Sequence, residues 1–153
     1  MSNLTLIRTH SDNADFRELV ILLDKDLAIK DGGEHAFYAQ FNKLDAIKEV
    51  VVAYQKEIPI ACGAIKPFST AAAEVKRMFV HPSYRKQGIA ATVLSELENW
   101  AAELGFSQAV LETGKKQPEA IALYQKSGYE VTPNYGQYIG VDNSVCMAKL
   151  LNV

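Results

Sequence analysis

Glu74-Val75-Lys76-Arg77-Met78-Phe79-Val80-His81-Pro82-Ser83-Tyr84-Arg85-Lys86-Gln87-Gly88-Ile89-Ala90 is the stretch whose reading fixes the architecture of this chain. Its first seven residues are a β-rich run, and His81-Pro82 ends it because proline cannot continue a central ladder. Arg85 to Gly88 then makes a basic, glycine-containing turn, and behind it Ile89, Val93, Leu97, Trp100 and Leu104 form one helical stripe closed by Gly105. The first turn of a helix offers unpaired N–H groups and a partial positive charge, and a glycine there lets an anion approach without meeting a Cβ. Strand, basic turn and helix together therefore describe a phosphate cradle. An ordinary connection with solvated basic side chains would show the same R-x-x-G-x-A pattern, so the pattern alone does not decide.

Outward from this stretch the pattern stays mixed. Leu4 to Arg8 reads as a strand. The spacing of Phe16, Leu19, Val20, Leu23 and Leu27 predicts a helix that starts near a capping-box-like Asp15-Phe16-Arg17-Glu18 and stops at Asp31-Gly32-Gly33. A shorter helical piece is expected over His35 to Asn42, with Phe37, Tyr38 and Phe41 on its core side. Glu49 to Tyr54 and Ile58 to Lys66 read as a hairpin joined by Gln55-Lys56-Glu57. Downstream, Gln108 to Thr113 is a strand, Pro118 to Gly128 a helix with proline at its start and glycine at its end, and Tyr129 to Thr132 and Ser144 to Leu150 are strands. The expected fold class is α+β, one domain over residues 1–153 without repeats or linkers.

Composition bounds the function. The 153 residues carry 16 lysines and arginines against 18 acidic residues, a formal charge of -2, so no basic field recommends a nucleic-acid partner. No apolar run approaches the roughly 20 residues of a membrane span, and Met1 to Thr5 lacks the basic region of a signal peptide, so a cytoplasmic protein is expected. Cys62 and Cys146 lie in apolar runs and read as reduced thiols. His10, His35 and His81 are scattered, so no metal is expected. Neither G-x-x-x-x-G-K-[ST] nor G-x-G-x-x-G occurs, because Gly114-Lys115-Lys116 has Ala109 where the first glycine is needed and no Ser or Thr after its lysine.

Three blocks of the chain resemble one family. Val80 to Ala90 is similar to the acetyl-CoA-binding motif of the GCN5-related N-acetyltransferases, the GNAT family, with its [R/Q]-x-x-G-x-[G/A] core. Glu74 to Val80 resembles that family's central strand, and Ala122-Leu123-Tyr124-Gln125-Lys126-Ser127-Gly128-Tyr129 resembles its A-x-x-L-Y-x-K-x-G-[F/Y] block. The resemblance implies a twisted mixed central sheet with helices on both faces, in which the parallel strands Glu74 to Val80 and Gln108 to Thr113 splay apart and admit the pantetheine arm. Backbone groups near Phe79 and Val80 would meet the pantetheine amides. Arg85, Lys86 and the N–H groups of Gln87, Gly88, Ile89 and Ala90 would meet the pyrophosphate, and Gln117 would line the channel with Glu112 and Thr113. The motif ends in Ala90 rather than glycine, a change the family tolerates.

The same resemblance implies roles in chemistry. An acceptor amine is mostly protonated at neutral pH and needs a base before it can attack the thioester. Glu74 is the candidate base, its alternative being a solvent-facing strand end. An N–H of the strand, that of Val80, is the candidate oxyanion donor, and Tyr124 is the candidate acid for the coenzyme A thiolate, its alternative being a core tyrosine. Lys126 is read as helix surface. Tyr135-Gly136-Gln137-Tyr138 is either an acceptor-recognition loop or a plain surface loop. The expected function is acetyl transfer from acetyl-CoA to an amine of a small molecule or peptide, with a homodimer as a candidate assembly. A catalytically silent coenzyme A-binding module is the alternative, and a hydroxyl acceptor or longer acyl chain would use the same cofactor site.

Overall fold

The computed structural model describes residues 4–31 and 47–151. Among them seven strands form one mixed sheet: β1 (Leu4–Thr9), β2 (Glu49–Gln55), β3 (Ile58–Pro67), β4 (Ala72–Val80), β5 (Gln108–Gly114), β6 (Glu130–Thr132) and β7 (Ser144–Leu150), in the spatial order β1-β2-β3-β4-β5-β7-β6. The helices α1 (Ala14–Asp31), α2 (Ile89–Glu103) and α3 (Pro118–Lys126) complete the described fold. None is long and apolar enough to cross a membrane. The helical piece expected over His35 to Asn42, and Gly32-Gly33, lie outside the described residues.

The alternating side chains of β2 explain the layering. Val50 and Val52 pack with Phe16, Leu19, Val20 and Leu23 of α1, whereas Val51 and Ala53 pack with Val93, Leu94, Leu97 and Ala101 of α2. Both faces are thus apolar, and each is covered by one of the two long helices. The β2–β3 hairpin turns through Lys56 (φ 50°) and Glu57 (φ 70°), the positive-φ pair that a two-residue turn needs to follow strand twist.

One expectation at the start of α1 is corrected. The cap is Asn13, whose Oδ1 accepts the Phe16 N–H at 2.9 Å, and Asp15 instead accepts the Tyr54 hydroxyl at 2.6 Å across to β2. The Asn13 side chain, two residues earlier, satisfies an orphan donor of the first turn and leaves Asp15 free to bridge to β2.

β4 carries the irregularity that shapes the site. Its pairing with β3 runs Cys62↔Phe79 and then Ala64↔Lys76, so β4 holds one residue more than β3 between those pairs, and Arg77 there takes φ 61°. The extra residue reverses the alternation: Val75 packs on the α2 side and Phe79 on the α1 side, although four residues apart they would share a face of a regular strand. Gly63 lies opposite. A Cβ there would come within 2.5 Å of Met78 Sδ and 2.8 Å of Leu97 Cδ1.

β4 and β5 are parallel neighbours over Ala72↔Gln108, Ala73↔Ala109 and Glu74↔Val110 only. Beyond Glu74 the two strands part, and the functional cleft lies in that gap.

Candidate active site

At its outer end the gap is a cleft of about 700 Å³ between the C-terminal part of β4, the start of α2 and the start of α3. Pro82 to Tyr84 forms one 3₁₀ turn, and His81 caps it by accepting the Ser83 N–H at 3.2 Å on its Nδ1. Lys86 (φ 64°) and Gly88 (φ 78°) then reverse the chain into α2. Gly88 is the cap residue of α2 without a side-chain bond to it, and a Cβ at Gly88 would meet no atom within 4 Å. The first N–H groups of α2 are therefore aimed at an open space bordered by Arg85, Lys86 and Lys116.

Arg85 builds the wall as well as charging it. Its Nε donates to the Val80 carbonyl at 2.9 Å, its guanidinium stacks 5.6 Å from the Phe79 ring centroid, and one terminal nitrogen lies 3.6 Å from an Asp26 carboxylate oxygen. The ladder geometry places Val80 further. His81 N–H donates to Ile60 O at 2.8 Å while Ala61 faces Val80, so Val80 occupies a non-hydrogen-bonded position of β3·β4. Its own N–H and carbonyl consequently turn toward the gap. Arg85 takes the carbonyl, and the N–H faces the cleft.

Inward, the cleft continues into a cavity of about 140 Å³, with Leu23, Leu27, Met78, Gln117, Ala120 and Tyr124 lining both. The inner wall carries the polar groups Glu74, Lys76, Arg77, Glu112, Thr113 and Tyr138. Glu74, only 3% exposed, accepts the Tyr135 hydroxyl on Oε2 at 2.8 Å, and its Oε1 is 3.9 Å from Lys76 Nζ. Arg77 donates to Asp24 Oδ1 of α1 at 2.9 Å. Glu112 Oε2 accepts from the Ser144 hydroxyl at 2.8 Å.

Burial tunes these groups. It lowers the Lys76 ammonium below the usual lysine range, with Glu74 opposing, because a charge out of water is costly. Burial likewise pushes the Tyr124 phenol well up, and the Glu112 charge adds to it. Tyr124 therefore keeps its proton throughout the physiological range, and among the described residues no protein hydrogen bond takes it. Cys62, wholly buried and donating to the Arg77 carbonyl at 3.3 Å, is pushed up to about 12 and is not a reactive thiol.

Phe79, Val80, Arg85, Lys86, Gly88, Ile89, Ala90, Gln117 and Tyr124 all line the cleft, Glu74 lines the cavity behind it, and Glu112 and Thr113 join it there. Gln87 and Lys126 are not in these walls. Of the loop after β6, Tyr138 enters the cavity and Tyr135 stands behind Glu74, while Gly136 and Gln137 do neither. Lys76, Arg77, Tyr135 on Glu74, and the Leu23–Leu27 face of α1 as a wall of the cleft were not assigned from the sequence. The signal available for Tyr135 and Tyr138 was a pair of aromatic residues around a glycine, without anything to say which strand they approach.

This architecture is shared with solved acyltransferases. A Klebsiella pneumoniae protein assigned as an acyl-CoA N-acyltransferase superposes with a TM-score of 0.83 at 25% identity, covering 99% of this chain and 100% of that one. A GNAT family acetyltransferase from Elizabethkingia anophelis, solved with acetyl-CoA bound, superposes at 0.70 with 18% identity, over 99% of this chain and 100% of that one, a likeness of fold. The fold is thus that of the GNAT acyltransferases. The chain belongs to the Acetyltransferase (GNAT) family, whose model matches residues 16–129. Among curated relatives, the IAA acetyltransferase of Azospirillum brasilense is 38% identical over 89 residues, 58% of each chain. The uncharacterized N-acetyltransferase YsnE of Bacillus subtilis is 33% identical over 92 residues, 59% of this chain and 61% of its own. The chain spans less than two thirds of the length of these relatives.

Proposed function

We propose that the protein is an N-acetyltransferase, a single domain over residues 1–153 acting in the cytoplasm, that moves an acetyl group from acetyl-CoA to an amine of a small molecule or peptide by direct attack. The observation that carries this reading is a single one: Glu74 and Tyr124 line one cavity at the inner end of a cleft whose outer end is a helix start with a side-chain-free Gly88. Acetyl-CoA fits that cleft by chemistry. The N–H groups of Gly88 to Ala90, with Arg85 and Lys86, would hold the pyrophosphate, and the inward-turned Val80 N–H would meet the acyl or pantetheine carbonyl.

Glu74 takes a proton from the incoming ammonium, the freed nitrogen forms a bond to the thioester carbonyl carbon, and the Val80 N–H receives the developing oxyanion. As the C–S bond breaks, the Tyr124 hydroxyl hydrogen-bonds to the departing thiolate and relays to it the proton that the acylated nitrogen sheds in becoming an amide. An amide and free coenzyme A result, with one net proton released.

Supplying acetyl-CoA with a panel of amines and following free thiol should show amine-dependent release. Glu74→Gln should slow it at pH 7 and recover part of the rate at high pH, where more of the amine is already neutral. Acetyl-CoA binding without amine-dependent release across the panel would favour a silent coenzyme A-binding module instead.

A further inference from the structure

The proposed base is not a carboxylate standing by itself. Tyr135 lies 61 residues away in sequence, on the loop between β6 and β7, yet its hydroxyl donates to Glu74 Oε2 at 2.8 Å. It is absent from the cavity wall that Glu74 occupies, so it acts on Glu74 from behind. The ring is held on two sides, edge-on to Phe68 of the β3–β4 turn at 4.7 Å and to Tyr138 at 5.8 Å. The loop itself is stapled: Asn134 Nδ2 donates to both the Tyr138 and Val141 carbonyls at 3.0 Å, and Tyr138 N–H donates to the Tyr135 carbonyl at 2.9 Å. A hydroxyl fixed this firmly dictates the carboxylate's orientation.

We propose that Tyr135 is a positioning residue that clamps Oε2 of Glu74 and presents Oε1 to the acceptor amine as the proton-accepting atom. The inference rests on Glu74 being the base. Burial, followed by the Glu74 charge, pushes the Tyr135 phenol far above its usual range, so the clamp stays a donor wherever the enzyme is folded. The donor stabilises the charged carboxylate and not the protonated acid. Other charged or titratable groups near Glu74 among the described residues are Lys76 and Arg77 on β4, Lys66 across on β3, Glu112 on β5, Cys146 on β7, Tyr138, and Tyr124 on α3, with Asp24 of α1 held to Arg77. All of them remain in a Tyr135→Phe variant, which isolates the one hydrogen bond.

The test is a carboxyl ¹³C titration of the intact protein labelled at glutamate, with the Glu74 resonance assigned by its loss in Glu74→Gln. A hydrogen bond to a charged group corresponds to a shift of roughly one to two pH units, so Tyr135→Phe should raise the Glu74 midpoint by that amount. Site-specific 3-fluorotyrosine at 135, a stronger donor that keeps the ring, should lower it. With an accepted amine, the acidic limb of the kcat/KM profile should move up alongside the Tyr135→Phe midpoint, while the KM for acetyl-CoA stays in place. An unmoved Glu74 midpoint in both Tyr135 forms would overturn the clamp. Wild-type turnover in Glu74→Gln would instead remove the base reading, and that outcome is told apart because the titration needs no substrate.

Discussion

In the proposed mechanism the Tyr124 hydroxyl is the atom whose removal distinguishes an active transferase from a coenzyme A-binding relic. Tyr124→Phe keeps the ring that packs edge-on to Tyr129 at 5.9 Å and deletes the donor, so fold and acetyl-CoA affinity should hold. General acids contribute about 10²- to 10⁴-fold. A phenol raised by burial is a reluctant acid toward a thiolate and serves it chiefly by hydrogen bonding, so the lower end applies. Steady-state kinetics should show kcat down by about tenfold to a hundredfold with the KM for acetyl-CoA nearly unchanged, the pattern of an interaction made in the transition state. An unchanged kcat with a lower melting temperature would make Tyr124 a core residue. At this scale Glu74 and Tyr124, which both line the cavity, could be singled out because each lies in a block that resembles a family motif. Tyr135 could not, because its partner lies across the molecule and no local pattern encodes that meeting.

Among the elements, the bulge in β4 has the widest reach. It turns Phe79 to the α1 side and leaves Met78 to line the cleft, and it needs Gly63 opposite. Gly63→Ala forces a Cβ against Met78 and Leu97, and overpacking of this kind costs about 1 to 3 kcal/mol. Denaturant unfolding should show that loss, and acetyl-CoA should bind more weakly because the side chain pushed aside is a cleft wall; wild-type stability would refute the tight fit. The sheet edge gives a pH test. Arg8 of β1 donates to Glu103 Oε1 and Oε2 of α2 at 2.8 and 2.9 Å and to Glu96 at 2.7 Å. The Arg8 hydrogen bond holds the Glu103 carboxyl below its usual value. A depressed carboxyl adds stability above its unfolded value and loses it as the pH falls through the folded one. The melting-temperature gap between wild type and Arg8→Ala should therefore narrow from pH 7 to pH 3. Strands and long helices were legible from period and from proline and glycine, whereas the bulge was not, since an extra residue in a ladder leaves no mark on composition. The cap of α1 was misplaced for a related reason: Asn13 and Asp15 are both good caps, and only the fold gives Asp15 to Tyr54.

For the whole molecule, the described sheet is apolar on both faces and continuous except where β4 and β5 part, and the same parting carries both the outer cleft and the inner cavity. The order of strand, basic turn and helix made the place of the cleft legible in the sequence, because a helix start behind a basic turn is a local device. The wall of the inner cavity draws on α1, β4, β5, α3 and the loop before β7, so its assembly depends on topology and the sequence left the acceptor open. The central claim is that the Arg85 to Ala90 turn is the anchor of acetyl-CoA, and Gly88 tests it most directly. With φ 78° and open space beyond, Gly88→Val adds a branched side chain where the pyrophosphate would lie, at a backbone angle that costs about 1 to 2 kcal/mol for a residue with a Cβ. Calorimetric titration of acetyl-CoA should give saturable binding to the wild type and at least about tenfold weaker binding to the folded variant, a loss of about 1.4 kcal/mol or more. Equal affinity in the two proteins, or no binding to the wild type, would contradict it.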